Sequence, residues 1–177
     1  SDSYLRDTAP VITSTPANTN VMVSSEYNYQ ADAVGPSITW SLAAGAPAGM
    51  TIDPSTGMLH WMPAPGQEGP ASATVIASNS LGQDTQALSI DVTGIIDSCA
   101  DDPSVLGATY LITQPISPAG GGTCLVIGAD GITIDGQGFE IRGDNSGFDF
   151  GIDLNGKSNL DIRNTEIKQY TAGIISF

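Results

Sequence analysis

Gly131-Ile132-Thr133-Ile134-Asp135-Gly136-Gln137-Gly138-Phe139-Glu140-Ile141 is echoed further along the chain by Asn159-Leu160-Asp161-Ile162-Arg163-Asn164-Thr165-Glu166-Ile167. Gly151-Ile152-Asp153-Leu154 is echoed in the same way by Gly173-Ile174-Ile175-Ser176. Apolar residues recur two apart within each short run, and Gly, Asn or Asp stands where the chain must bend. The pattern predicts stacked β coils, each burying its apolar face against the next, and such a stack needs about three coils and a cap at each end. Because the sequence ends at Phe177 inside a predicted strand, the expectation is that further sequence or another chain completes the last coil.

Composition sets the frame for this repeat. Among 177 residues, Gly contributes 21 and Pro 11, charged residues make up 14%, and no segment keeps a helical period, so the whole chain is predicted to be all-β. Nineteen acidic against five basic residues leave a net charge of −14, which argues against nucleic acid and anionic membranes as partners. No apolar run reaches the roughly 18 residues that span a bilayer, so membrane insertion is not expected. Cys99 and Cys124 lack metal-ligand spacing, and His60 is far from both. As a disulfide they would close a loop of about 26 residues, stabilise by about 3 to 4 kcal/mol and imply an oxidising, extracellular or cell-surface location.

Upstream of the repeat, residues 9–97 alternate like half-buried antiparallel strands. Tyr27, Tyr29, Ala31 and Ala33 share one face, as do Ile38, Trp40 and Leu42 on the next strand. Met50-Thr51-Ile52 and Met58-Leu59-His60-Trp61 flank the turn Asp53-Pro54-Ser55-Thr56-Gly57, where Gly57 supplies the positive φ that closes the hairpin. Two longer strands, Ala71 to Ser78 and Gln83 to Val92, complete a predicted sandwich. Strand parity assigns Trp40, Leu42, Leu59 and Trp61 to its core and turns His60 outward.

The segments Ile38-Thr39-Trp40-Ser41-Leu42, Pro47 through Leu59, and Ala77-Ser78-Asn79-Ser80-Leu81-Gly82 together resemble the immunoglobulin-like, or dystroglycan-type cadherin-like, domain family. The resemblance implies a spacer, adhesion or carbohydrate-associated module of secreted and surface proteins, and no catalysis. Residues 1–8 then form a flexible tail, 9–97 the Ig/cadherin-like sandwich, and 98–177 the cap and first coils of the stack. The cysteine ahead of the first strand, with Cys124-Leu125-Val126-Ile127-Gly128-Ala129-Asp130-Gly131, resembles the entry to right-handed parallel β-helices of secreted proteins and polysaccharide-degrading enzymes. On that resemblance the disulfide pins the cap to the first coil.

Three groups of residues are candidates for chemistry. Asp97, Asp101 and Asp102 lie within six residues at the junction and could supply oxygen ligands to calcium, the only cofactor expected. Asp135, Asp153, Asp161 and Glu166 are the acids that could pair on adjacent coils, about 4.8 Å apart, near the separation of about 5 to 5.5 Å used by retaining glycosidases. Gly173, Ile174, Ile175 and Phe177 form an apolar strand edge that could recruit another strand. These features support a non-catalytic structural or adhesive module that engages neighbouring domains, copies of itself or carbohydrate. The alternatives are the non-catalytic front of a β-helix lyase or hydrolase with its active site outside this chain, and a fibre subunit joined through the open edge.

Overall fold

Short alternating runs separated by Pro, Gly and Asx turns produce strands throughout the computed structural model, which describes residues 8–145 and 147–176. Residues 1–7 of the tail expected over 1–8, and the edge residue Phe177, lie outside the described residues. Two units divide the chain: Pro65–Gly69 joins everything from Val92 onward, and the remainder up to Asp91 forms the first unit. The division falls ahead of the expected one after Asp97, because Gly94, Ile95 and Ile96 pair in parallel with Tyr110, Leu111 and Ile112 and so belong to the stack.

In the first unit, β1 (Val11–Ile12), β2 (Asn20–Met22), β3 (Tyr27–Gln30), β4 (Ala33–Val34), β5 (Thr39–Leu42), β6 (Thr51–Ile52) and β7 (Met58–Trp61) precede two long strands, β8 (Gly69–Asn79) and β9 (Gly82–Ile96). β3, β7 and β6 form one antiparallel sheet, with Tyr27 opposite Trp61 and Tyr29 opposite Leu59. β5 pairs antiparallel with β8, which adjoins β9, and β2 pairs with β9 on its other side. The predicted parity holds: Trp40, Leu59 and Trp61 are buried, while Met58 and His60 face outward. Leu42 is half-buried at the strand's end. The indole N–H of Trp61 donates to Ala48 O at 3.2 Å, which satisfies the polar edge of a fully buried ring.

The hairpin between β6 and β7 is set by its own side chains. Asp53 Oδ1 accepts the backbone N–H groups of Ser55 and Thr56, each at 2.8 Å, and these two bonds hold the Asp53 carboxyl below its usual range. Gly57 follows at φ +74°, and a Cβ there would lie 2.6 Å from Ala31 O and 2.8 Å from the Trp40 ring. The turn glycine is therefore also the gap through which the core tryptophan fits.

The second unit contains β10 (Thr109–Ile112), β11 (Leu125–Val126), β12 (Thr133–Asp135), β13 (Glu140–Arg142), β14 (Phe150–Asp153), β15 (Asp161–Arg163), β16 (Glu166–Lys168) and β17 (Ala172–Ile175). Three parallel ladders run through it: the end of β9 with β10, β12 and β15; β13 with β16; and β11 with β14 and β17. Register sets like on like, with Tyr110, Ile134 and Ile162 in one column, Ile141 and Ile167 in a second, and Leu125, Ile152 and Ile174 in a third. β-branched side chains suit this packing because each column buries them between identical strands. Gly151 keeps one ladder close, since a Cβ there would meet the Ile167 side chain and Gly173 O. Cys99 and Cys124 form a disulfide within this unit, and Cys124 is buried beside Leu125 in its core.

Gly57→Ala is expected to destabilise the first unit by about 2 to 4 kcal/mol, combining left-handed backbone strain with overpacking against Trp40, as read from urea unfolding followed by tryptophan fluorescence. Replacing Cys99 and Cys124 together by serine is expected to lower the stability of the second unit by about 3 to 4 kcal/mol. Denaturant unfolding of that variant beside the oxidised protein checks this.

Candidate functional site

The acids singled out from the repeat occupy the corners and outer faces of the ladders. Asp135 ends β12 with its side chain 12% exposed. Its Oδ1 accepts Asn164 Nδ2 at 3.1 Å and the Gln137 backbone N–H at 3.1 Å, and its Oδ2 accepts Arg163 Nε at 3.2 Å. The Asn164 amide, the Gln137 N–H and the Arg163 guanidinium hold this carboxyl down at about 2. Arg163 Nη1 also bonds Asp161 Oδ2 at 2.7 Å. Asn164 sits at φ +53°, and this left-handed corner turns its amide back onto the preceding coil.

The four predicted acids do not stack on one another. Asp135 lies opposite Arg163, Asp161 opposite Thr133, Asp153 between Val126 and Ile175, and Glu166 opposite Glu140. The expected pairing is thus corrected: the in-register carboxylates are Glu140 and Glu166, and the reading from sequence overlooked Glu140. The coils are not of equal length, so equal spacing in the sequence does not identify neighbours. Thr133 meets Asp161 28 residues on, whereas Glu140 meets Glu166 only 26 residues on. Lys168 Nζ lies 2.8 Å from Glu166 and 3.5 Å from Glu140, and Arg142 lies 3.3 Å from Glu140. These pairs are solvent-facing and modest in strength, and each of the two carboxylates has a cation beside it.

An open polar cavity of about 550 Å³ lies beside this corner, lined by Gln137, Gly138, Asn164, Thr165 and Glu166. It has amide, hydroxyl and carboxylate groups but no aromatic platform. At the junction, Asp101 Oδ2 accepts the backbone N–H groups of Asp97 and Ser98, each at 2.9 Å, and the Ser98 hydroxyl at 3.2 Å. The expected convergence of Asp97, Asp101 and Asp102 is not formed: among the described residues no three His, Cys, Asp or Glu side chains gather as a metal-ligand set. Asp101 instead caps the turn, the ordinary use of Asp ahead of Pro103.

Of the predicted edge residues, Ala172–Ile175 forms β17 with Ile174 47% exposed. His60 Nδ1 lies 2.9 Å from Asn28 Oδ1 across the sheet, on the exposed face. Two residues passed over in the sequence are Asp149, which is buried, and Tyr170, whose hydroxyl is buried. Thr171, just ahead of β17, donates its N–H to Asp149 O and Oδ1 and its hydroxyl to Asp149 Oδ1, a link hidden in the sequence by the longer loop after Gly143.

Residues 9–93 match the family model described as "Putative Ig domain". No curated protein matches the chain. Among solved structures, the chain is similar to a Bacteroides fragilis protein described as a "putative alpha-galactosidase/melibiase", at 24% identity and a TM-score of 0.42 over 50% of this chain. The chain spans 18% of that protein. It is also similar to a chimeric titin Z1Z2 (22% identity, TM-score 0.39, 49% of this chain and 96% of the other). Human protocadherin-24 EC1-2 is a further likeness, at 12% identity and a TM-score of 0.37 over 56% of this chain and 54% of the other. Residues 9–93 are an Ig-like domain of the all-β class, in keeping with a non-catalytic structural or adhesive module. Among the described residues no helix is long and apolar enough to cross a membrane.

The depressed Asp135 carboxyl fixes the sign of a pH effect. Its contribution is complete above about pH 4, where the unfolded chain is ionised, and is lost as pH falls toward about 2. Asp135→Asn is expected to melt lower than the parent at pH 6 and to lose less on going from pH 4 to pH 2, as measured by thermal melts across that range.

Proposed function

We propose that this chain is a non-catalytic structural or adhesive part of an extracellular or cell-surface protein, in which the Ig-like domain leads into the opening coils of a right-handed parallel β-helix. The observation that carries the reading is the repetition of apolar columns from coil to coil with declining cover. Ile134, Ile141 and Ile152 are fully buried, whereas Ile162 and Ile167, in register with the first two, are only half-buried, and Ile174, in register with the third, is 47% exposed. Columns of that form are buried by neighbouring coils, and neighbouring coils or domains are their natural partners. The disulfide favours an oxidising compartment, and the strong acidity favours a solvated surface facing outward.

The carboxylates of the coils support a mechanical rather than a chemical role. Asp135, Asp161, Glu140 and Glu166 are each held by Arg163, Lys168 or Arg142, and Asp153 accepts the Asn155 N–H at 2.8 Å. In the purified chain, and in any longer protein that carries it, Asp135→Asn, Glu140→Gln and Glu166→Gln are each expected to leave turnover of acidic and neutral polysaccharides unchanged. A tenfold or greater loss in a variant that still folds, followed by reducing-end release, would overturn the reading and place an active site in these coils.

A further inference from the structure

The disulfide of the second unit has two unlike ends. Cys124 is 2% exposed and belongs to the apolar core of the coils, whereas Cys99 is half-buried and packs against that core from its edge. A cavity of about 330 Å³ lies on the Cys99 side, with Ser98, Cys99 and Ala100 on one wall and residues of the 117–123 loop on the other. Cys124 does not line it. The loop wall is lightly held: among the described residues, 117–123 make no hydrogen bond, and Gly120, Gly121 and Gly122 all take positive φ. That wall can draw back without breaking a ladder.

Thiol–disulfide exchange needs a thiolate to reach one sulfur and expel the other. The core closes the approach to Cys124, and the cavity opens the approach to Cys99. Leaving-group chemistry pulls the other way, because attack at Cys99 expels Cys124 as a thiolate into apolar surroundings. A leaving thiol whose pKa is raised by about one to two units slows exchange by about three- to tenfold at a Brønsted slope of about 0.5. A sulfur shut in a core is reached only in the fraction of molecules that have opened, about a thousandth or less. Access therefore decides the point of attack. The cavity also has a sign. Asp101 Oδ2 accepts the N–H and hydroxyl of Ser98 on its wall, Asp97 and Asp102 flank the same short segment, and no basic residue lines it. With a net charge of −14 over the whole chain, the field there attracts cations and repels anions.

We propose that Cys99 is a thiolation site, at which a small cationic aminothiol enters the cavity and is held as a mixed disulfide. The reagent's thiolate forms a new S–S bond to Cys99 Sγ as the Cys99–Cys124 bond breaks. The electron pair of that bond leaves on Cys124 Sγ, which takes a proton from water. A second thiolate attacking the reagent's sulfur would free Cys99 and complete a two-electron reduction, with the reagent leaving as its own disulfide. The first step alone cuts the covalent tie between the segment ahead of β10 and the coils, and leaves the ladders in place.

Incubation of the folded, oxidised chain with cysteamine, and in parallel with glutathione, followed by acid quenching and peptide mapping by mass spectrometry, tests this. Cysteamine is expected on Cys99 in about tenfold or greater excess over Cys124. Its rate, divided by its rate on 2-hydroxyethyl disulfide, is expected to exceed that of glutathione by about threefold or more at low salt, with the gap closing at about 0.5 M sodium chloride. Single-cysteine variants give a second reading. In folded protein, Cys99 of the Cys124→Ser variant is expected to react with cystamine about tenfold or more faster than Cys124 of the Cys99→Ser variant. Should neither variant fold, the mapping of the parent decides alone. Cysteamine found chiefly on Cys124, exchange only in denaturant, or equal reactivity of the two folded variants would overturn the proposal. Glutathione matching cysteamine at low salt would overturn its choice of ligand.

Discussion

Parallel register is the constraint on which the second unit depends. Once Tyr110 pairs with Gly94 on one side and Ile134 on the other, every later strand must deliver its apolar residue to the same column. A slip of one residue would reverse the faces, exposing Ile134 and Ile162 and burying Thr133, Asp161 and Arg163. The chain guards against this at the corners. Asn155 Nδ2 reaches back to Ile127 O, Ser158 bonds Asp130 through both its N–H and its hydroxyl, and Asn164 Nδ2 holds Asp135. Each bond joins one coil to the next, so polar residues at the bends fix the alignment that apolar residues between them exploit.

The two units solve the same problem differently. In the Ig-like domain, opposing sheets cover one another, and Leu59, Trp61, Val75 and Leu88 are buried almost completely. In the coils, cover comes from the next coil, and burial declines along the stack. The disulfide acts where that scheme has least help, joining the segment ahead of β10 to the residue before β11. Chain-entropy reasoning makes such a link useful in a region with little regular structure, and between Ile112 and Leu125 the excursion is tied to the ladders by an isolated bridge, Ile116 with Ile141, and by backbone bonds near its two ends, Thr113 N–H to Ile96 O and Cys124 N–H to Phe150 O.

Acidity in this protein has several local uses. Asp53 and Asp101 cap turns, Asp130 and Asp135 lock corners, and Glu140 and Glu166 share Lys168. Asp149 differs from all of these in being buried with one oxygen unmet. These other acids are thus explained by backbone N–H groups, by hydroxyl and amide donors or by the few basic residues available.

Much of the architecture was legible in residue order. Strand parity alone placed Trp40, Leu59 and Trp61 in the core, because side chains alternate across a strand whatever its neighbours. Asp53 through Gly57 announced its turn, because the chemistry of Asx turns and of positive φ is local. The echo of Ile132 through Ile141 in Leu160 through Ile167 announced stacking for the same reason. Pairing was decided only in three dimensions. Coil lengths of 28, 26 and 22 residues, read at Thr133, Glu140 and Ile152, set Glu140 rather than any predicted acid against Glu166 and brought Asp149 beneath its loop beside Tyr170. Local conformation follows from neighbours along the chain, but which charges meet depends on loops whose lengths carry no periodic signal, and that is a property of the folded stack.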